Sequence, residues 1–376
     1  MTAPELESAP SVHDDTTIPG GRQTIVLHDF GDVTLLVGTG ETQQPVLTSS
    51  STLRLASPVW RAMFGQRWAE SESSEVPFPD DDVEAMLLVL RIAHLRFQEL
   101  PQKHGISFNS LLNLAFVCDK YDLVRMVRPF LDLHCWAQPF LHMTDPKTCQ
   151  PAWLFIAWTF GYSESFDALA KRLVRAVATS DMDGRTIVGV TGGPELQAGT
   201  LPPDILESIL RVREDALSAM LQGCYACVDK VLQGGVCKVK EMKGHDLVAP
   251  SEFQCSSMIL GSFLSQLITM GLYPTRKTGA EISSSVNSIQ ISLRDTKILT
   301  IDSHNYAQIV NHGQGLSRSY GNREGIREEY LKHGITSHST CGEIIDIAAM
   351  VHQVVSQMPS PTLESHRRHM EEQAKK

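Results

Sequence analysis

Apolar residues recur at roughly helical steps between residues 53 and 64. The pattern predicts two short consecutive helices that share one apolar face. Ser57 favours the N-cap position of the second helix. Pro58 follows at the first helical position, where its missing N–H costs no hydrogen bond. Gly65 is placed to end the second helix.

Two tryptophans accompany these helices, Trp60 within the second helix and Trp68 shortly after it. Large aromatic side chains in a short, otherwise polar segment occur both in protein cores and at protein-recognition surfaces. The pattern therefore leaves two interpretations open, a buried helical hairpin or part of a recognition surface.

Four short runs rich in β-forming residues predict strands around the helical hairpin. The glycine at position 31 predicts that the first two strands form a hairpin, and Pro77 predicts that the last strand lies at a sheet edge. The four runs are Thr24–His28, Asp32–Val37, Val46–Leu47 and Glu75–Phe78.

Three helices are expected after these strands. Aspartates at 80–82 favour a helix start at Val83 because carboxylates accept hydrogen bonds from the free N–H groups of the first turn. Pro129 is expected to kink or end the third helix. The three helices are expected at Val83–Leu95, Ser107–Cys118 and Asp122–Leu133. Strands and helices together predict an α+β unit of about 115 residues, an ordinary domain size.

The remainder of the chain predicts mostly helices, with a glycine-rich loop at 184–199. Residues 280–300 are expected to form a helix followed by a strand. The other expected helices are Pro151–Phe160, Phe166–Ala178, Pro203–Leu232, Ser257–Met270 and Ile344–Met358. The predicted organisation is a disordered N-terminus at 1–21, an α+β domain at 22–140, a helical region at 145–275, a mixed and mainly helical extension at 276–358, and a charged tail at 359–376.

Composition and charge exclude several classes of protein. The 376 residues carry a net charge of −10, whereas a nucleic-acid-binding protein would need a basic face. No apolar run is long enough to cross a membrane, and the N-terminal residues do not follow the plan of a signal peptide. Eight cysteines in such a chain indicate reduced thiols, so we expect a cytoplasmic or nuclear protein.

Four segments together resemble a BTB/POZ domain of the kind abundant in filamentous fungi. They are Gly-Asp-Val-Thr-Leu-Leu-Val-Gly at 31–38, Leu-Ala-Ser-Pro-Val-Trp-Arg-Ala-Met-Phe at 55–64, Asp-Asp-Val-Glu-Ala-Met-Leu-Leu-Val-Leu at 81–90, and Leu-Ala-Phe-Val-Cys-Asp-Lys-Tyr-Asp at 114–122. The resemblance covers residues 22–140. It implies a small sheet backed by helices, and it implies a protein–protein interaction adaptor or scaffold.

The resemblance also implies classes of partner. One is a cullin, with the chain acting as a substrate adaptor of a ubiquitin ligase. The alternative is a non-degradative scaffold or transcription-related regulator that associates with itself or with another protein. A homodimer is compatible with the family. The swapped-helix form of that dimer is not expected here, because proline and glycine before Thr24 disfavour the helix that it requires.

Four residues are candidates for partner contact: Trp60, Phe64, Trp68 and Glu70. Trp68-Ala69-Glu70 resembles the hydrophobic-x-acid motif that follows the helical hairpin in cullin-binding members of the family. An exposed tryptophan would fill a partner pocket, and the carboxylate would accept a charge-assisted hydrogen bond. The alternative is a solvated acidic loop with Trp68 folded back on the domain.

Metal and redox chemistry receive only weak support from the sequence. Cys224 and Cys227 form a C-x-x-C pair, but they fall within the apolar stripe of a predicted helix and are interpreted as core residues. A dispersed set of three cysteines and one histidine matches the ligand types of a Cys₃His zinc site. That set is Cys237, Cys255, His338 and Cys341. Because these ligands are scattered over about 100 residues, the sequence predicts no cofactor, and a zinc-stabilised C-terminal region stays an alternative.

No catalytic motif is recognisable in the sequence, so we expect a protein that is not an enzyme. The polar segment Asp119 to Asp122 is interpreted structurally. One of its aspartates is expected to cap the next helix, and Tyr121 is expected to pack at the corner.

Overall fold

The computed structural model describes residues 22–65, 73–141, 150–182, 185–238, 252–301 and 338–376. The expected disordered N-terminus at 1–21 lies outside the described residues. The chain divides into two compact units. Unit 1 comprises Met1–Met143, Ala152–Phe166 and Ser365–Lys376, and unit 2 comprises Thr144–Pro151 and Asp167–Glu364.

Unit 1 contains a four-stranded mixed sheet. Its strands are β1 (Ile25–Val26), β2 (Val33–Val37), β3 (Gln44–Thr48) and β4 (Glu75–Phe78), in the spatial order β1-β3-β2-β4. Strands β2 and β3 form an antiparallel hairpin, and β4 runs parallel to β2 at the sheet edge that Pro77 predicts. The expected hairpin through Gly31 is wrong, because β1 pairs in parallel with β3 instead of with β2.

Two short helices follow the sheet hairpin, as the apolar pattern predicts. Helix α1 is Ser50–Ala56 and helix α2 is Pro58–Met63. The Ser57 hydroxyl accepts a hydrogen bond from the backbone N–H of Trp60 at 3.0 Å, which confirms the predicted N-cap. The helix ends at Met63 with Phe64 as its C-cap, so Gly65 takes the position directly after the cap, as expected of a glycine that ends a helix.

Three longer helices follow: α3 (Val83–Ala93), α4 (Phe108–Tyr121) and α5 (Val124–Leu133). Helix α3 packs against α1, α4 packs against α2, and α5 packs against α3 and α4. Asp82 caps α3 and Ser107 caps α4, each by accepting a backbone hydrogen bond. Pro129 lies inside α5, which continues to Leu133. Asp122 does not cap α5; it takes a left-handed conformation and ends α4.

Two further helices complete unit 1, α6 (Trp153–Phe160) and the last helix, α12 (Glu364–Ala374). The ring of His369 stacks on Trp158 with centroids 3.9 Å apart, and Met370 is fully buried. The residues expected to form a charged tail therefore include a helix that packs into the unit containing the N-terminal sheet.

Unit 2 is mainly helical. Its elements are most of α7 (Ser163–Ala176), β5 (Val177–Met182), β6 (Arg185–Val190), α8 (Ile205–Leu232), α9 (Glu252–Thr269), α10 (Val286–Arg294) and α11 (Ile347–Ser356). Strands β5 and β6 pair as an antiparallel hairpin where the sequence predicts only a glycine-rich loop. Described residues 295–301 form no strand after α10. The two regions expected at 145–275 and 276–358 both contribute to this one unit.

The core of unit 2 is built on α8, whose apolar stripe was predicted and is buried along most of its length. Helices α9, α10 and α11 contribute apolar side chains to the same core. Cys255 and Cys341 are fully buried and belong to this core. Among the described residues, no helix combines the length and apolar character needed to cross a bilayer.

Candidate functional site

Two places in the structure bear on function: the surface of the α1–α2 hairpin in unit 1, and a cluster of cysteines and a histidine in unit 2. The hairpin was expected to present Trp60 and Phe64 to a partner. Trp60 is fully buried and Phe64 is 6% exposed, so that expectation is corrected. Both side chains belong to the core: Trp60 is the buried residue of α2, and Phe64 is the C-cap residue that follows the helix.

Trp60 packs against Tyr121, with ring centroids 5.3 Å apart. The Tyr121 hydroxyl donates a 2.6 Å hydrogen bond to the Asp81 carboxylate, which also accepts from Lys120 at 2.9 Å. Burial and the hydrogen bond to Asp81 raise the pKa of Tyr121. Tyr121 therefore packs at this corner as expected. The expected aspartate cap on the next helix is wrong, because Leu123 takes the N-cap position of α5 and makes no side-chain cap hydrogen bond.

The exposed face of the hairpin carries a different set of apolar side chains. Leu55 is 81% exposed and Val59 is 39% exposed. Pro58 and Ala62, one helical turn apart, are also exposed. We call these four residues the hairpin stripe. Leu55 and Val59 stand in the predicted apolar pattern, but the neighbouring apolar pair Val59 and Trp60 cannot both point inward on one helix. Two adjacent apolar residues on one helix are therefore the sequence signal that one of them points outward.

Arginines border the hairpin stripe. Arg54 and Arg61 are both exposed, and the Nε of Arg61 donates a 3.0 Å hydrogen bond to the carbonyl oxygen of Arg54. This bond links the two helices at the surface. An apolar centre with arginines beside it has the composition that protein interfaces favour. Trp68 and Glu70, the other two candidate contact residues, lie outside the described residues.

The four candidate metal ligands, dispersed in sequence, lie together in unit 2. Cys237 follows the end of α8, and Cys255 is in the first turns of α9. His338 is the N-cap residue of the 3₁₀ helix Ser339–Ile344, and Cys341 lies within that helix. The ligand atoms of the four side chains all lie within 4.8 Å of one another. We call this group the Cys₃His cluster.

The cluster is compact and largely buried. The Sγ of Cys237 is 3.4 Å from the Nδ1 of His338, and the Sγ of Cys341 is 3.9 Å from the same nitrogen. Cys255 and Cys341 are fully buried and His338 is 3% exposed, whereas Cys237 is half-buried. Burial, followed by the proximity of Cys341 and Cys237, raises the pKa of the Cys255 thiol. A cation between these atoms would reverse that tendency, because metal binding favours the thiolate.

The C-x-x-C pair is separate from the cluster. Cys224 is fully buried among the apolar residues of α8, and burial raises its pKa to about 12. Cys227 is half-buried on the same helix, and burial raises its pKa as well. The interpretation of this pair as core residues agrees with their position.

Two comparisons with known proteins assign this chain to no family. A scan against protein-family models gives no match, and a search of curated proteins gives none either.

Proposed function

We propose that unit 1 is a BTB/POZ-type interaction module and that the chain acts as an adaptor or scaffold by binding another protein through it. The observation that carries the proposal is the hairpin stripe, a set of exposed apolar side chains on two helices that bury Leu53 and Trp60 in the domain. The order of elements in unit 1 also supports it. A strand hairpin, a helical hairpin, a further strand and three helices make the small helix-backed sheet that the family resemblance implies.

The energetics favour a protein partner for this stripe. Leu55 is 81% exposed, so burying it fully against a partner would contribute about 1.5–3 kcal/mol. Val59 is 39% exposed, so its burial would contribute correspondingly less. Arg54 and Arg61 stay at the edge, where they can reach carboxylates or carbonyl oxygens of the partner. An apolar centre surrounded by polar groups that exclude water is the arrangement in which a few residues supply most of the binding energy.

The partner class that we propose first is the N-terminal domain of a cullin. The resemblance implies this class, and Trp68-Ala69-Glu70 after the hairpin resembles the hydrophobic-x-acid motif. In this proposal the chain is a binding component of a ubiquitin ligase and has no catalytic role of its own. The alternative is a scaffold that associates with itself or with a regulator through the same stripe.

The test is a binding titration of the purified full-length chain with a cullin N-terminal domain. The double variant Leu55→Gln, Val59→Gln removes apolar surface without adding charge, and we expect it to weaken binding by about tenfold or more. The double variant Trp68→Ala, Glu70→Ala tests the motif after the hairpin and should weaken binding as well. The matched control is Leu133→Gln, since Leu133 is 70% exposed elsewhere in unit 1 and should leave binding unchanged.

Absence of binding at high micromolar concentrations would refute the cullin partner. Light scattering then tests the alternative, a scaffold that associates with itself. A scaffold that self-associates through the stripe should show a molar mass that rises with concentration, and the Leu55→Gln, Val59→Gln variant should abolish that rise. If the wild type stays a monomer and binds no cullin, both roles proposed for the hairpin stripe are refuted.

A further inference from the structure

The Cys₃His cluster has the donor set of a structural zinc site. Three thiol sulfurs and one imidazole nitrogen converge, and thiolate with imidazole is a combination that Zn²⁺ prefers in proteins. The set is complete with four protein ligands. A catalytic zinc site would keep one position for water, so this arrangement fits a structural role.

The distances agree with tetrahedral coordination. With Zn–S near 2.3 Å and Zn–N near 2.0 Å, the edges of a tetrahedron are about 3.5–3.8 Å. In the structure, the Sγ of Cys237 lies 3.4 Å from the Nδ1 of His338, and the Sγ of Cys341 lies 3.9 Å from the same nitrogen. All the remaining edges are within 4.8 Å. Small side-chain adjustments would therefore bring the four atoms to one metal ion.

The surroundings favour a metal thiolate. The backbone N–H of Lys238 donates to the Sγ of Cys341 at 3.4 Å, and such N–H groups stabilise a coordinated sulfur.

A disulfide explains the cluster less well. The three cysteines form no disulfide in the described part of the chain. A disulfide would also use only two of the three sulfurs and would give no role to the buried imidazole that faces two of them. The spacing in sequence points the same way, since His338 and Cys341 meet on one turn as a metal-binding pair does.

We propose that Cys237, Cys255, His338 and Cys341 bind one Zn²⁺ ion through three Sγ atoms and Nδ1. The metal joins the residues after α8, the start of α9 and the turn before α11, three segments that are far apart in sequence. On binding, the three thiols release their protons, and the neutral imidazole donates a lone pair. The site does not depend on the interaction proposed for unit 1.

The test measures metal in the purified full-length chain. Elemental analysis should find about one equivalent of zinc per chain, and less than about half an equivalent would overturn the proposal. Replacing zinc by Co²⁺ should give the visible bands and the thiolate-to-metal charge-transfer band of a tetrahedral thiolate site. An octahedral spectrum, or an intact mass that shows a disulfide among these cysteines, would also overturn it.

Single-residue variants test which side chains bind the metal ion. Cys255→Ser, Cys341→Ser and His338→Ala should each lower the zinc content well below one equivalent. Cys227→Ala is the matched control, because it removes a half-buried thiol from the same unit and should leave the zinc content unchanged. His338→Cys tests the donor directly, since a fourth thiolate should retain zinc and shift the cobalt spectrum. If the control loses zinc to the same extent as the ligand variants, the assignment fails. Because the cobalt spectrum is measured on the wild-type chain, the proposal can be refuted even if a ligand variant does not fold.

Discussion

The side chain of Arg213 links separate segments of unit 2 by hydrogen bonds to their backbone carbonyl oxygens. Its side chain lies on the buried face of α8 and is 4% exposed. The guanidinium donates from Nε to the carbonyl oxygen of Val177 at 3.0 Å. Its Nη2 donates to the carbonyl oxygens of Ile282 at 2.6 Å and Ser284 at 2.8 Å. One rigid set of donors therefore joins the start of β5 to the segment that leads into α10.

We expect Arg213→Leu to lower the free energy of unfolding by about 3–5 kcal/mol, because buried carbonyl groups lose their donor while leucine fills only part of the volume. Urea unfolding followed by far-ultraviolet circular dichroism measures the change. The matched control is Arg211→Leu, an exposed arginine on the same helix, for which the change should be within about 0.5 kcal/mol. Equal effects of the two variants would show that the carbonyl contacts carry no net stability.

At the scale of elements, helix α8 is approached closely by the turn at Gly279–Glu281. The backbone N–H of Gly279 donates to the Ser218 hydroxyl at 3.0 Å. A Cβ atom at Gly279 would lie 2.2 Å from the carbonyl oxygen of Glu214 and 2.8 Å from the backbone nitrogen of Ser218. Only glycine allows this turn to lie against the helix backbone.

Gly279→Ala should therefore push the turn away from α8 and destabilise unit 2 by about 1–3 kcal/mol, as overpacked sites do. Gly261→Ala is a control for which we expect a change in stability of the opposite sign. Gly261 lies inside α9 with open space around the position of a Cβ, so alanine should stabilise the helix by roughly 0.5–1 kcal/mol. Thermal unfolding of both variants gives the comparison. A neutral or stabilising result for Gly279→Ala would contradict the packing described above.

Elements with local signals were predicted from sequence, and those that depend on distant partners were not. Ser57, Asp82 and Ser107 cap helices where the sequence predicts their starts, since capping needs only neighbouring residues. The pairing of β1 with β3 was missed, because the sequence does not show which strand lies between two others. The four metal-ligand candidates were chosen by residue type. Their convergence depends on the packing of α8, α9 and the turn before α11, so the sequence alone could not favour them.

At the scale of the whole molecule, unit 1 is assembled from three separate parts of the chain, and the last residues complete it. Helix α12 lies directly against the end of α6. A Cβ atom at Gly161, which has a φ of +75°, would be 2.7 Å from the carbonyl oxygen of Met370. The Met370 side chain is fully buried in this contact region, whereas its neighbour Glu371 is exposed. The stability of the N-terminal sheet and its helices is therefore linked to residues more than 200 positions away in sequence.

Met370→Ala tests this link, because it leaves a cavity within unit 1 and should lower the stability of that unit by about 2–5 kcal/mol. Hydrogen exchange on the full-length chain should show faster exchange in α4 and α6, helices that pack on each other within unit 1, while α8 and α9 keep their protection. Glu371→Ala is the matched control on the same turn and should leave exchange unchanged. Unchanged protection of α6 in Met370→Ala would mean that the last helix is not part of the cooperative unit, and the first unit would then end before it.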